Sequence, residues 1–178
     1  MIAGNYIGSP NNLGTSAGAT EANAGQGNRA LGDNNTIGGI GAFDRNLISG
    51  NTGNGVFLNG AGANNNTVAG NYIGLDITGA TALGNGARGI DIEGANNTIG
   101  GTVAAARNVI SEQGGDGMRI TGVGATGNAV LGNYIGTDAT GTLARGNGGS
   151  AIFLSAGASS NRIGNGAADG ANLVSGND

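Results

Sequence analysis

Gly4-Asn5-Tyr6-Ile7-Gly8 returns as Gly70-Asn71-Tyr72-Ile73-Gly74 and again as Gly132-Asn133-Tyr134-Ile135-Gly136, at spacings of 66 and 62 residues. Self-similarity at a fixed period marks a chain that stacks one supersecondary unit on itself. The pentapeptide belongs to a wider column, Asn followed by an apolar residue and then Ile or Val, at Asn5, Asn46, Asn71, Asn108, Asn133 and Asn172. Six occurrences against three pentapeptides imply about three repeats of 62–66 residues, each holding two coils.

Two further columns run beside this one. An Asn two residues before a branched aliphatic occurs at Asn35 and Ile37, Asn66 and Val68, Asn97 and Ile99, Asn128 and Val130, Asn161 and Ile163, spaced 31, 31, 31 and 33. Alternating aliphatics occur at Val56 and Leu58, Ile90 and Ile92, Met118 and Ile120, Ile152 and Leu154. Alternation with period two is the mark of a strand. Where no insertion intervenes, the steps are seven residues from Ile90 to Asn97, five from Asn66 to Asn71 and ten from Asn108 to Met118, a minimal turn of 22.

Three short strands and three bends cannot bury an apolar face alone. Stacking such turns about 4.8 Å apart gives continuous parallel sheets around a continuous core. Crossovers between parallel strands are right-handed in nearly all cases. The expected fold is therefore all-β: a right-handed parallel β-helix, or β-solenoid, of about six three-strand coils forming one domain over residues 1–178. Ile2, Ile37, Val68, Ile99, Val130 and Ile163 form its inward aliphatic stack.

The asparagine column that includes Asn5 reads as a structural ladder, because an Asn side chain tolerates tight bends and can hydrogen-bond its equivalents above and below. Insertions alternate along the rod. One kind precedes the third strand, at 40–45, 101–107 and 165–171; the other follows it, at 75–88 and 137–149. Tyr6, Leu47, Tyr72, Val109, Tyr134 and Leu173 make both sides of that strand apolar, so the insertions are expected to fold over it. The first copy departs: Asn28 and Ala30 stand where Ile90 and Ile92 do, and Ser9-Pro10-Asn11-Asn12 replaces Leu75-Asp76-Ile77-Thr78. Outward positions Phe57, Asp91, Arg119 and Phe153 form a possible surface-binding face, with Asp91 and Arg119 expected as an ordinary ion pair on a solvated surface.

Composition narrows the function classes. The chain has 41 Gly, one Pro, a hydrophobic fraction of 38% and a net charge of −4. All seven basic residues are Arg, so nothing forms a basic stripe for nucleic acid. With no Cys and no His, disulfide staples, thiolate-bound metal and the commonest general base are excluded. No apolar run approaches the roughly 20 residues that span a bilayer, and residues after Met1 show no signal core, so membrane insertion is not expected.

The residues 132–142, Gly-Asn-Tyr-Ile-Gly-Thr-Asp-Ala-Thr-Gly-Thr, and 97–101, Asn-Thr-Ile-Gly-Gly, resemble the repeats of large bacterial extracellular and cell-surface proteins. More broadly, the ladders and coil length resemble the right-handed parallel β-helix proteins of pectin-lyase-like architecture. The resemblance covers essentially the whole chain and implies an architecture, with an extracellular or cell-surface location. Polysaccharide lyases of that architecture, as the resemblance implies, use clustered acidic residues to hold calcium and a basic residue to abstract a proton.

This chain scatters eight Asp and three Glu, and only Asp91, Glu93 and Arg119 approach one another by register. No catalytic residue, metal ligand set or cofactor is expected. The Asp76-Ile77-Thr78-Gly79 and Asp138-Ala139-Thr140-Gly141 loops supply one carboxylate each where Ca²⁺ wants six to eight oxygens, so they read as Asx-type turns. Thr36, Thr67 and Thr98 form an outward column that breaks at Ala129 and Arg162, which suits a cross-strand ladder and not an ordered-water surface. Neither end shows a polar cap, and Ile2, Ile7, Ile163 and Val174 mark the possible self-assembly ends. The expectation is a structural, non-enzymatic solenoid of an extracellular or cell-surface assembly. It is either a segment of a long surface protein or adhesin stalk, or a subunit stacking end to end into a filament. A polysaccharide-binding or polysaccharide-cleaving module is the alternative, with a glycan as its partner.

Overall fold

A computed structural model describes residues 1–8 and 23–178. After β1 (Tyr6–Ile7), three strands recur five times. These are β2 (Asn28–Ala30), β3 (Thr36–Gly38) and β4 (Leu47–Ile48), then β5 (Val56–Leu58), β6 (Thr67–Ala69) and β7 (Tyr72–Ile73). Next come β8 (Ile90–Ile92), β9 (Thr98–Gly100) and β10 (Val109–Ile110), followed by β11 (Met118–Thr121), β12 (Ala129–Leu131) and β13 (Tyr134–Ile135). The last turn is β14 (Ile152–Ser155), β15 (Arg162–Ile163) and β16 (Leu173–Val174).

Each strand pairs with its equivalent one turn away, always in parallel. The first sheet runs β2-β5-β8-β11-β14, the second β3-β6-β9-β12-β15, and the third β1-β4-β7-β10-β13-β16. Ile2 adds a bridge to Ile37 at the edge of the second sheet, so five complete coils follow a partial one. The chain is a right-handed β-helix of the kind its periodicity predicts. Register agrees with the sequence columns: Val68 lies beside Ile99, Ile99 beside Val130, and Asn28 and Ala30 take the places of Val56 and Leu58.

The core is the inward stack. Ile37, Val68, Ile99 and Val130 from the second sheet meet Leu58, Ile92 and Ile120 from the first and Ile48, Ile73, Ile110 and Ile135 from the third, all fully buried. Burying each such side chain stabilises by about 1.5–3 kcal/mol, and the stack exists only because coils share it.

The repeated pentapeptide is accounted for residue by residue. Gly70 sits at φ +72°, and a Cβ there would lie 2.3 Å from the Gly39 carbonyl oxygen. Asn71 turns inward at the corner, Tyr72 faces outward, Ile73 enters the core, and Gly74 at φ +88° has no room for a Cβ, which would run into the Ser111 carbonyl. Asn-Asn doublets have a related origin. Asn34, Asn65 and Asn96 adopt φ of 57°, 55° and 57°, the left-handed region Asn tolerates, so that the following Asn35, Asn66 and Asn97 can turn into the stack.

Candidate functional site

Three ladders of side-chain amides occupy the three corners of the coil. At the corner before the third sheet, Asn5 donates its backbone N–H and Nδ2 to Oδ1 of Asn46, both at 3.0 Å. The same double donation runs from Asn46 to Asn71, Asn71 to Asn108, Asn108 to Asn133 and Asn133 to Asn172. From Asn46 onward each rung also donates from Nδ2 to a second-sheet carbonyl one coil below: Asn71 to that of Ile37 and Asn133 to that of Ile99, both at 2.9 Å. A second ladder of the same form joins Asn35, Asn66, Asn97, Asn128 and Asn161.

The third ladder escaped the sequence reading. Asn51 donates to Asn85, Asn85 to Gln113, Gln113 to Asn147 and Asn147 to Asn177. Hairpin insertions separate some of these residues from the preceding strand, and one rung is Gln, so no constant spacing shows when counted forward. Counted backward from the next strand the signal is constant: Asn51, Asn85, Gln113 and Asn147 each stand five residues before Val56, Ile90, Met118 and Ile152.

The insertions fold over the third sheet. In each hairpin two residues bridge in antiparallel fashion, Leu75 with Ala82 and Thr137 with Ala144. Although two coils apart, the hairpins touch: the Ala139 N–H donates to the Gly79 carbonyl at 2.8 Å, making an outer layer across β10. Ser49 and Ser111, each one coil below, donate Oγ to the carbonyls of Leu75 and Thr137 at each hairpin's base. The other insertions supply a clamp. Arg45 lies 4.0 Å from the Tyr72 ring centroid and Arg107 3.9 Å from that of Tyr134, and each donates Nε to a glycine carbonyl, Gly70 or Gly132, at 3.2 Å. With Gly79 and Gly141 packed on the other side, Tyr72 and Tyr134 are half-buried and present no open aromatic platform. The expected departure at residues 9–12 lies outside the described residues.

Asp76 and Asp138 organise the hairpins. Asp76 Oδ1 accepts from the Thr78 hydroxyl at 2.7 Å and from the Ala80 and Thr81 amides at 3.1 Å. Asp138 accepts from the Thr140 hydroxyl and from the Thr142 and Leu143 amides at 3.0 and 3.1 Å. Burial pushes the Asp76 carboxyl upward, but the Thr78 hydroxyl and the Thr81 and Ala80 amides outweigh it and hold it below the ordinary carboxylate value. The Thr140 hydroxyl, against some burial and with the Leu143 and Thr142 amides, lowers Asp138 likewise. Oxygens spent on N–H donors are poor cation ligands, and no group of three or more His, Cys, Asp or Glu able to hold a metal exists among the described residues.

The outward column of the first sheet places Phe57, Asp91, Arg119 and Phe153 on successive rungs, preceded by Arg29 beside Phe57. Here the expected solvated ion pair needs correction. Asp91 is only 1% exposed, because Arg88 and Asn54 arrive from the neighbouring corner and close over it. Arg119 grips it with two hydrogen bonds, Nε to Oδ1 at 2.9 Å and Nη2 to Oδ2 at 2.7 Å, and these hold the guanidinium pKa above its usual value despite burial. Asn54 Nδ2 adds a bond to Oδ2 at 3.2 Å, and Arg88 binds Asp116 at 3.0 Å. Both Asp91 oxygens are thus occupied by guanidinium and amide donors.

No protein-family profile, curated protein or solved structure matches the chain.

At the ends, Ile2 and Ile7 lie on the partial first coil, and Ile163 and Val174 on the last. Ile163 and Val174 are 44% and 49% exposed, whereas Val130 and Ile135 one coil below are fully buried. No helix among the described residues is long and apolar enough to cross a membrane.

Proposed function

We propose that this β-helix is a structural, non-enzymatic rod of an extracellular or cell-surface assembly, whose open coils take further coils of the same kind. The observation that carries the reading is the common polarity of the three amide ladders. Each of these rungs below the last coil donates its backbone N–H to the side-chain oxygen of the rung one coil higher, and each asparagine among them adds one Nδ2 hydrogen to the same oxygen, whereas Gln113 does so through its N–H alone. Asn5 Oδ1 therefore faces outward with no donor among the described residues, and the Asn172 N–H with no acceptor, so the two edges are complementary. The likeness of residues 132–142 to bacterial surface-protein repeats supports the location.

The covering coil comes either from an adjoining part of a long surface protein or from a second copy stacking end to end. Electron microscopy and sedimentation across a concentration series separate these. Rods of uniform width that lengthen with concentration indicate a filament subunit, and compact monomers at every concentration indicate a stalk segment. Degradation of a polysaccharide by the purified chain, lost on Asp91→Asn, would overturn both in favour of a polysaccharide-processing module.

A further inference from the structure

The chain contains five Asn-Gly pairs: Asn54-Gly55, Asn59-Gly60, Asn85-Gly86, Asn147-Gly148 and Asn165-Gly166. In this dipeptide the backbone nitrogen readily attacks the preceding carboxamide, because glycine neither shields the nitrogen nor restrains the backbone. A fold opposes the attack by tying up the glycine N–H and by fixing the carboxamide. Four pairs are opposed in both ways. The Gly55 N–H donates to the Arg88 carbonyl at 2.8 Å, Gly60 to Glu93 Oε2 at 2.7 Å, Gly86 to the Asn51 carbonyl at 2.7 Å and Gly148 to the Gln113 carbonyl at 2.9 Å. Asn85 and Asn147 are ladder rungs, Asn54 is held by Asp91 and the Arg88 N–H, and Asn59 donates to Glu93.

Asn165-Gly166 differs at the glycine, while its carboxamide is held by the Ala167 N–H and Asp169. Gly166 is exposed, its N–H meets no acceptor among the described residues, and a Cβ built on it would touch nothing within 4 Å. The Ala167 N–H donates to Asn165 Oδ1 at 2.9 Å, where it stabilises the negative charge that grows on that oxygen as a nucleophile adds to Cγ. We propose that Asn165 is the deamidation site of this protein, a self-modification whose only co-reactant is water. The deprotonated Gly166 nitrogen bonds to Asn165 Cγ, the Cγ–Nδ2 bond breaks, and Nδ2 leaves as ammonia after taking a proton from solvent. Water then opens the resulting cyclic imide at either carbonyl, giving an aspartyl or isoaspartyl residue. One water enters, one ammonia leaves, and nothing is oxidised or reduced.

The product has a local consequence. Asn165 Nδ2 donates to Asp169 Oδ1 at 3.1 Å, and conversion sets two carboxylates against each other there. The affected insertion carries the Gly170 carbonyl that accepts from the Gly132 N–H at 3.3 Å, next to β16. Deamidation thus adds negative charge and slack beside the last coil, whether or not that coil is a stacking edge.

The test follows all five sites by peptide mass spectrometry during incubation in mildly alkaline buffer, with the protein folded and, separately, in concentrated urea. Folded protein is expected to convert Asn165 about tenfold or more faster than each of the other four, the order set by one retained amide hydrogen bond. In urea the five rates are expected to converge. Equal rates in the folded protein overturn the proposal, and so does a lead for Asn165 that persists in urea, since that lead would belong to local sequence and not to the fold. In Asn165→Gln the mass gain in this segment is expected to disappear.

Discussion

Asn71 illustrates what one residue holds. Its Oδ1 accepts both the N–H and the Nδ2 of Asn46, at 3.2 and 3.0 Å, while its Nδ2 donates to Ile37 and Asn108. Truncating it leaves buried donors on one side and buried acceptors on the other, each costing about 1–3 kcal/mol when orphaned. Asn71→Ala is expected to lower unfolding free energy in urea by about 3 kcal/mol, whereas Asn59→Ala, at a partly exposed position, loses about 1 kcal/mol or less. Equal losses would mean that the ladder carries no more than a surface hydrogen bond. The Asn71 ladder was legible because an Asn stands directly before each strand of the third sheet; the Gln113 ladder was not, because five residues separate each rung from the strand that keeps its register and one rung is Gln.

At the scale of elements, the hairpins and the charged column respond to different perturbations. Asp76 and Asp138 have folded pKa values below the ordinary carboxylate value of about 3.9. The folded chain therefore binds fewer protons than the unfolded one, and the contribution to stability is present above the unfolded value and lost as pH falls through the folded one. NMR titration is expected to show the Ala80, Thr81, Thr142 and Leu143 amides shifting together below about pH 4 while the Ile99 amide stays put; unchanged hairpin amides would remove the carboxylates from the hairpin's support. In the first sheet, Arg119→Met leaves the buried Asp91 with the neutral Asn54 amide and with Arg88 at 3.9 Å as its counter-charge, and is expected to cost about 3 kcal/mol. Adding Asp91→Val to Arg119→Met is expected to restore most of that loss, because an apolar pair needs no counter-charge. Strands and their register followed from period-two alternation. The burial of Asp91 did not, since Asn54 and Arg88 share a position two residues before a first-sheet strand but not a residue type, and strand alternation says nothing of what closes over an outward side chain.

For the whole molecule, the decisive contrast lies between the last coil and the one beneath it. Leu154, Ile163 and Val174 are 42%, 44% and 49% exposed, while their register partners Ile120, Val130 and Ile135 are fully buried. A covering coil would bury those three side chains and extend three sheets with ladder hydrogen bonds, against an association cost of about 4–15 kcal/mol. If the proposed stacking operates between copies, a charge on this cross-section must block it without touching the coils below, since each coil of a solenoid contacts only its neighbours. Ile163→Arg combined with Val174→Arg is therefore expected to abolish concentration-dependent rods in sedimentation and microscopy while leaving the far-ultraviolet dichroism spectrum in place. Rods that persist in this variant would place the contact elsewhere on the surface, and a variant that loses its β-sheet spectrum would show that the last coil supports the fold beneath it.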